Sequence, residues 1–423
     1  MSQSVFSASL RLCAILIATA STANADWPFA RGGTQSQGVA SFSIGDEPEL
    51  LWTYEPEGEV SDEVAFEGAP VIAEGTIYLA DADGGLHAVS LASGEAEWTA
   101  TLPDTIVLAA PAVADGRWFV GDSDGVLRAI STEDGSVLWT VKCGGEVYAG
   151  PIVYTPEGGE PLLLVTTELG RLYAFDPATG EERWRFEIAD PLRCAPTVVN
   201  GHALLAGCDG RLHAIDLSTG EQAGSCDIGG PTGCTAAVLD DVACFGTESG
   251  EFYAVNAQDP ATPSVAWTYR DPRRGQGIRA AAAVSESAVV YGNLGKGLYA
   301  LNPADGELLW KKSLRSRLES SPLILSASDG ASPDRASPDR ASPDGASTDG
   351  ASPERGERVL VATGRGRIYL YDLATGDETW SYDAGGGFIA DPAASAGRVV
   401  LASTDGVVYC FGREPQMNTD ERR

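Results

Sequence analysis

Apolar and polar positions along this chain alternate in short runs that repeat. The clearest run is Gly170 to Trp184, GRLYAFDPATGEERW. A glycine opens a strand through Leu172, Ala174 and Phe175, a turn at Asp176, Pro177, Thr179 and Gly180 reverses the chain, and a return strand carries Trp184. The hairpin recurs at fixed internal spacing. Ala88 precedes Trp98 by ten residues, as Ala129 precedes Trp139, Ala174 precedes Trp184 and Ala300 precedes Trp310, with Gly94, Gly135, Gly180 and Gly306 six residues after each alanine. Three further copies are altered: Ala214 and Gly220 lead to Gly224 instead of a tryptophan, Ala254 reaches Trp267 through a turn three residues longer, and Leu370 stands before Gly376 and Trp380.

Upstream of each hairpin lies a second pair of short strands, such as Ala110 to Val113 and Arg117 to Val120 around a turn at Asp115 and Gly116. Four strands therefore make one unit. An eighth copy begins at Gly406 and ends with Phe411, lacking its tryptophan strand, whereas Leu50-Leu51-Trp52-Thr53-Tyr54 is a tryptophan strand with no hairpin before it. The 363 residues from Leu50 to Gly412, less an insertion of about 28, leave about 42 residues for each of eight units, which suits a four-stranded propeller blade. The expectation is an all-β, eight-bladed β-propeller, closed by an N-terminal strand that completes the last blade. Trp52, Trp98, Trp139, Trp184, Trp267, Trp310 and Trp380 then sit on outer strands and dock each blade on the next, filling the wedge beside the small alanine and glycine.

The rest of the chain divides around that ring. Residues 1–25 read as a secretory signal, with Arg11, an apolar run from Leu12 to Ala18, and Ala23-Asn24-Ala25 as a cleavage site. The apolar run is too short to span a bilayer. Residues 26–49 form a lead-in without sustained periodicity. Five pentads from Ala331 to Arg355 (ASPDR, ASPDR, ASPDG, ASTDG, ASPER) lack large apolar side chains, so a disordered insertion over about 329–357 is expected in the seventh blade, with a frayed tail at 413–423.

Composition narrows the partners. Without residues 1–25 the chain has 28 basic against 60 acidic residues, a net charge of −32, which disfavours nucleic acid and anionic membranes. Seven cysteines remain, an odd number with no C-x-x-C spacing, and the three histidines are scattered, so a structural zinc site is not expected. Cys194 and Cys234 occupy equivalent places before the innermost strands of adjacent units; they either bridge or remain as two buried thiols. Asp81-x-Asp83-Gly84 and Asp122-x-Asp124-Gly125 supply the start of a calcium loop without its remaining ligands and read as turn residues. Basic residues gather at Arg273, Arg274 and Arg279 and again at Lys311, Lys312, Arg315 and Arg317. On the face that also carries Asp81, Asp83, Asp122 and Asp124 they would set up an acidic side and a basic side, able to orient a partner. Arg273, Arg274, Arg279, Arg315 and Arg317 are therefore the candidate partner-binding residues; the alternative is that they balance local carboxylates.

The recurring Gly-x-Leu-x-Ala, Thr-Gly-Glu and Trp at these offsets resemble the pyrroloquinoline-quinone (PQQ) type propeller repeat and its tryptophan-docking motif, over Leu50 to Gly412. Two branches of that family bear on function. The resemblance to quinoprotein dehydrogenases implies a quinone and calcium in the central channel; the resemblance to BamB-like proteins implies a cofactor-free scaffold for outer-membrane protein assembly. This chain is similar to the BamB-like branch in having little outside the ring, and it lacks the adjacent cysteine pair of the dehydrogenases. The expected function is a non-enzymatic scaffold, exported to the periplasm or cell envelope or secreted, monomeric, with other envelope proteins as partners and no transmembrane segment. The alternatives are a quinone-dependent oxidoreductase and a secreted ligand-binding propeller.

Overall fold

A computed structural model describes residues 26–56, 65–273, 275–326 and 356–413. The expected signal segment, the five pentads and the chain from Glu414 onward lie outside the described residues. Eight four-stranded antiparallel sheets form the blades, seven of them with these strands in sequence order. Blade 3, for example, consists of Ile152–Tyr154, Leu162–Thr167, Arg171–Phe175 and Glu182–Glu187. Calling these strands A to D, the A strands of neighbouring blades touch one another, and the first, Val71–Ala73, touches the last, Ala393–Ser395. The A strands thus surround the axis and the D strands lie outside. Burial follows the same gradient, with B and C strands almost wholly buried and D strands alternating between exposed and half-buried positions.

The ring closes as the orphan strand predicts. Glu49–Tyr54 pairs antiparallel with Val408–Gly412, placing Trp52 opposite Cys410, and so becomes strand D of blade 8. The spacing of alanine and tryptophan is cross-strand pairing: Ala88 faces Trp98, Ala129 faces Trp139, Ala174 faces Trp184 and Ala300 faces Trp310, each pair followed by a register shift that bends the outer strand.

Each tryptophan then reaches the next blade. The indole N–H of Trp98 donates to Thr132 O at 2.9 Å, Trp139 to Pro177 O at 3.1 Å, Trp184 to Leu217 O at 3.2 Å, Trp267 to Pro303 O at 2.9 Å and Trp310 to Leu373 O at 2.7 Å. Trp52 does the same across the closure, donating to Leu91 O of blade 1 at 3.2 Å. Trp380 instead packs edge-on to Phe411, because the polypeptide leaves blade 8 before a C–D turn is made. At the joint where Gly224 replaces tryptophan, the longer turn of blade 5 moves in. A Cβ on Gly224 would lie 2.5 Å from the carbonyl oxygens of Pro260 and Ala261, so backbone fills the space that an indole fills elsewhere.

The lead-in is more than a spacer. It threads the channel and closes the free edges of the A strands. Trp27 and Ile72 exchange two backbone hydrogen bonds, and the amides of Val113, Val198, Val238, Val284, Ile324 and Ser326 donate to the carbonyls of Pro28, Thr34, Gln35, Gln37, Gly38 and Ala40. Val39–Ala40 adds a fifth, parallel strand to blade 7. Innermost strands of a ring leave a circle of unpaired amides, and this segment supplies acceptors for them. Trp27, Phe29 and Ile44 anchor it by burial.

Candidate functional site

The D-to-A connections and the B–C turns share one end of the ring, the upper face. Connections from all eight blades converge there on a funnel, with Glu67, Tyr148, Arg193, Arg279, Glu319 and Asp391 on its wall and Ala30, Arg31 and Ser36 of the lead-in as its floor. The Arg31 side chain reaches across the channel: Nη1 donates to Pro322 O at 2.7 Å and Nη2 to Ala282 O at 2.6 Å, and only 3% of the residue is exposed. Burial lowers its affinity for the proton, with the Asp391 carboxylate acting in the opposite direction. Polar links between neighbouring connections stiffen the wall. Ala195 N–H donates to Thr235 Oγ1 at 2.9 Å, Ala281 N–H to Ser321 Oγ at 2.9 Å, and Ser321 N–H to Asp391 Oδ1 at 2.7 Å.

The five candidate partner-binding residues do not form one cluster. Arg279 lies in the funnel, held by Glu248 at 3.0 Å. Arg273 lines a cavity of about 270 Å³ beside Asp271, Tyr299, Lys311 and Lys312. Arg315 and Arg317 line another, of about 300 Å³, with Arg317 paired to Glu319 at 3.1 Å. Arg274 lies outside the described residues. Lys296 and Arg365, which sequence reasoning passed over, line the same cavity as Arg315. The missed signal was a difference between repeats, since these residues occupy B–C turn positions.

The expected acidic side is weaker than the sequence suggests. Asp81 is buried and accepts the amides of Asp83 at 2.9 Å and Gly85 at 2.8 Å, and it meets His87 Nε2 at 3.0 Å. Asp122 is buried likewise, capping Asp124 and Val126 and pairing with Arg128. These two carboxylates close their own turns and present no charge outward, leaving Asp83 and Asp124 as the exposed members. Cys194 and Cys234 are both free and buried, the second of the two arrangements left open by the sequence. The Cys234 thiol donates to Ala280 O at 3.3 Å, and the Ala195 to Thr235 hydrogen bond links the two connections. Burial pushes the Cys194 thiol up to about 12 and that of Cys234 to about 11, so neither is a reactive thiolate.

A quinone with calcium does not fit this channel. The funnel holds about 190 Å³, below the roughly 300–1,000 Å³ of ordinary ligand pockets. Its floor is a guanidinium already committed to two backbone carbonyls. Among the described residues no three His, Cys, Asp or Glu side chains come together as a metal site. No helix there is long and apolar enough to cross a membrane.

What the upper face offers instead is exposed surface of mixed character. Ile106 is 53% exposed, Leu169 58% and Tyr148 39%, all over blades 2 and 3. The basic cavities lie over blades 5 to 7.

Comparison with known proteins agrees with the architecture. No curated protein matches the sequence. Among solved structures, BamB from Moraxella catarrhalis superposes with a TM-score of 0.64 at 15% identity, covering 88% of this chain and 99% of that one. The quinohemoprotein alcohol dehydrogenase of Comamonas testosteroni gives 0.69 at 14% identity, covering 93% and 82%. A computationally designed protein, Ika8, gives 0.64 at 13%, covering 86% and 100%. At these identities the likeness shows the fold alone. The family model described as outer membrane protein assembly factor BamB matches residues 37–151, 149–262, 254–328 and 325–414, and the chain belongs to that family.

Proposed function

We propose that this protein is a non-enzymatic scaffold of the cell envelope, docking partner proteins on its upper face in outer-membrane protein assembly. The observation that supports this reading most is the threaded lead-in. It spends the channel on closing the A strands, and the remaining funnel is too small and too committed to hold a redox cofactor. Binding surface is then found on the rim, where Ile106, Tyr148 and Leu169 expose apolar area beside charged turns. Exposed aromatic and aliphatic side chains rimmed by polar residues are a common mark of protein interfaces. The family supplies the setting, because its description names outer-membrane assembly.

The test is an affinity pull-down from the envelope of the protein's own host, with the full chain as bait. Recovery of outer-membrane assembly components is expected, and Leu169→Glu together with Ile106→Glu should reduce it. A parallel titration with pyrroloquinoline quinone and calcium is expected to give no bound absorbance band. Dye reduction with an alcohol or sugar in that titration would sink the scaffold reading.

A further inference from the structure

The eight B–C turns of the upper face differ in one telling respect. Six carry a carboxylate: Asp83, Asp124, Glu168, Asp209, Glu248 and Asp405. The turns of blades 6 and 7, Asn293 to Lys296 and Thr363 to Gly366, carry none and hold Lys296 and Arg365 instead. Lys296 also breaks a backbone rule. The other seven turns end in glycine with φ between 71° and 83°, as at Gly125 and Gly84, whereas Lys296 adopts φ 66° with a full side chain. A residue other than glycine in this region carries strain of about 1–2 kcal/mol.

Those two cations meet Arg315 and Arg317, from the connection between blades 6 and 7, around the cavity of about 300 Å³, and no carboxylate lines it. A neighbouring cavity of about 440 Å³ shares Arg315, Ser316 and Arg365 and adds Arg367, Tyr369, Glu378 and Asp383. Arg317 is paired with Glu319, and Arg367 with Asp383 at 3.5 Å. Lys296, Arg315 and Arg365 are exposed, and their side chains make no ion pair or hydrogen bond among the described residues. In a chain of net charge −31, three neighbouring unpaired cations form a local reversal of the field.

We infer that this groove over blades 6 and 7 docks a short acidic segment of a partner polypeptide, with Lys296, Arg315 and Arg365 receiving its carboxylates. The size of the ligand follows from screening. Charges act over about 8 Å at physiological salt, so a short segment lying in the groove senses the cations and little of the net negative charge. A nucleic acid or an anionic membrane extends beyond that range and is repelled by the rest of the surface. A groove shared by two turns and one connection also exceeds what a single phosphate needs. This inference rests on the scaffold reading and gives one of its partners a chemistry.

The experiment titrates the full-length protein into a fluorescent oligoglutamate peptide at low and physiological salt, with inorganic phosphate and phosphatidylglycerol vesicles as separate probes. Saturable peptide binding is expected, weakening with salt. The double variant R315E/R365E should weaken it about thirtyfold and Lys296→Gly about threefold, as expected for exposed charge pairs. Lys296→Gly restores the residue that the other turns use, so its thermal stability should match or exceed wild type, and a binding loss there cannot come from misfolding. Absence of saturable binding, or binding unchanged in both variants, overturns the inference. So does tighter binding of phosphate or vesicles than of the peptide. In the envelope pull-down, R315E/R365E retaining every partner removes the groove and leaves the scaffold reading standing, whereas a wild-type bait that recovers nothing removes the latter.

Discussion

Consider the joint between blades 2 and 3, where Trp139 lies against Gly180. Gly180 has φ 73°, its N–H donates to Asp176 O at 2.8 Å, and a Cβ built on it would lie 2.8 Å from Trp139 Cε3 and 3.0 Å from Val141 Cγ2. Gly180→Ala therefore has two separate costs. Left-handed backbone adds about 1–2 kcal/mol for any residue with a Cβ, and forcing a methyl against the indole adds about 1–3 kcal/mol. The expected destabilisation is about 2–5 kcal/mol. Trp139→Ala loses packing and the hydrogen bond to Pro177 O, for about 2–4 kcal/mol. In a Trp139→Ala background the clash with the indole disappears, leaving the backbone part and the contact with Val141, so the double-mutant cycle should show a coupling of about 1–3 kcal/mol. Guanidinium unfolding at constant m-value measures all four corners. A Gly180→Ala cost that is the same in both backgrounds would refute the indole as the reason for glycine here. The same cycle at Trp52 and Gly94, where the Cβ would lie 2.6 Å from the ring, measures the closure of the propeller, because that tryptophan comes from the N-terminal strand.

Two further outcomes follow from buried polar groups. Burial pushes the Asp271 carboxyl up, but hydrogen bonds from the Arg273 amide, Tyr299 OH at 2.8 Å and Lys311 Nζ at 3.2 Å outweigh it, leaving a value of about 2. A depressed carboxyl stabilises the fold above its ordinary value of 3.8, and that contribution is lost as pH falls from there toward 2. Asp271→Asn should therefore cost about 2 kcal/mol at neutral pH and progressively less in acid, read from denaturation midpoints across that range; a gap that stays constant with pH contradicts the assignment. Replacing Arg31 with Met leaves Pro322 O and Ala282 O without their donor and should loosen the lead-in while the ring persists. Amide exchange at Val198, Val238 and Val284 is expected to quicken about tenfold, and unchanged protection there would show that the guanidinium does not hold the segment.

The ring was legible because its signals repeat. A cross-strand alanine and tryptophan pair, a turn glycine with positive φ and an indole donating to the next blade are local features, and seven or eight copies average out the exceptions at Gly224 and Leu370. Even the missing strand of blade 8 was readable, since a count of units left one tryptophan strand over. The threaded lead-in was not legible. Gly32, Gly33, Thr34, Gln35, Ser36 and Gln37 carry no apolar period, because the segment is held by backbone carbonyls that every residue possesses and needs only small side chains to fit the channel. Arg31, just before them, is buried, and nothing in the sequence around it marks that burial. Asp81 and Asp122 are the turn residues that their motifs suggest, and it was only in counting them as surface charge as well that the sequence misled, since their carboxylates are buried in those turns. The cation groove was half legible. Arg315 and Arg317 stood out as neighbours in sequence, but Lys296 and Arg365 are single residues 69 apart in blades 6 and 7, brought beside Arg315 only by the curvature of the ring. What marks them is their departure from the other turns. Repetition therefore reveals the architecture of a propeller, and the positions where a copy departs from its siblings at some conformational cost are where its specific contacts are to be sought.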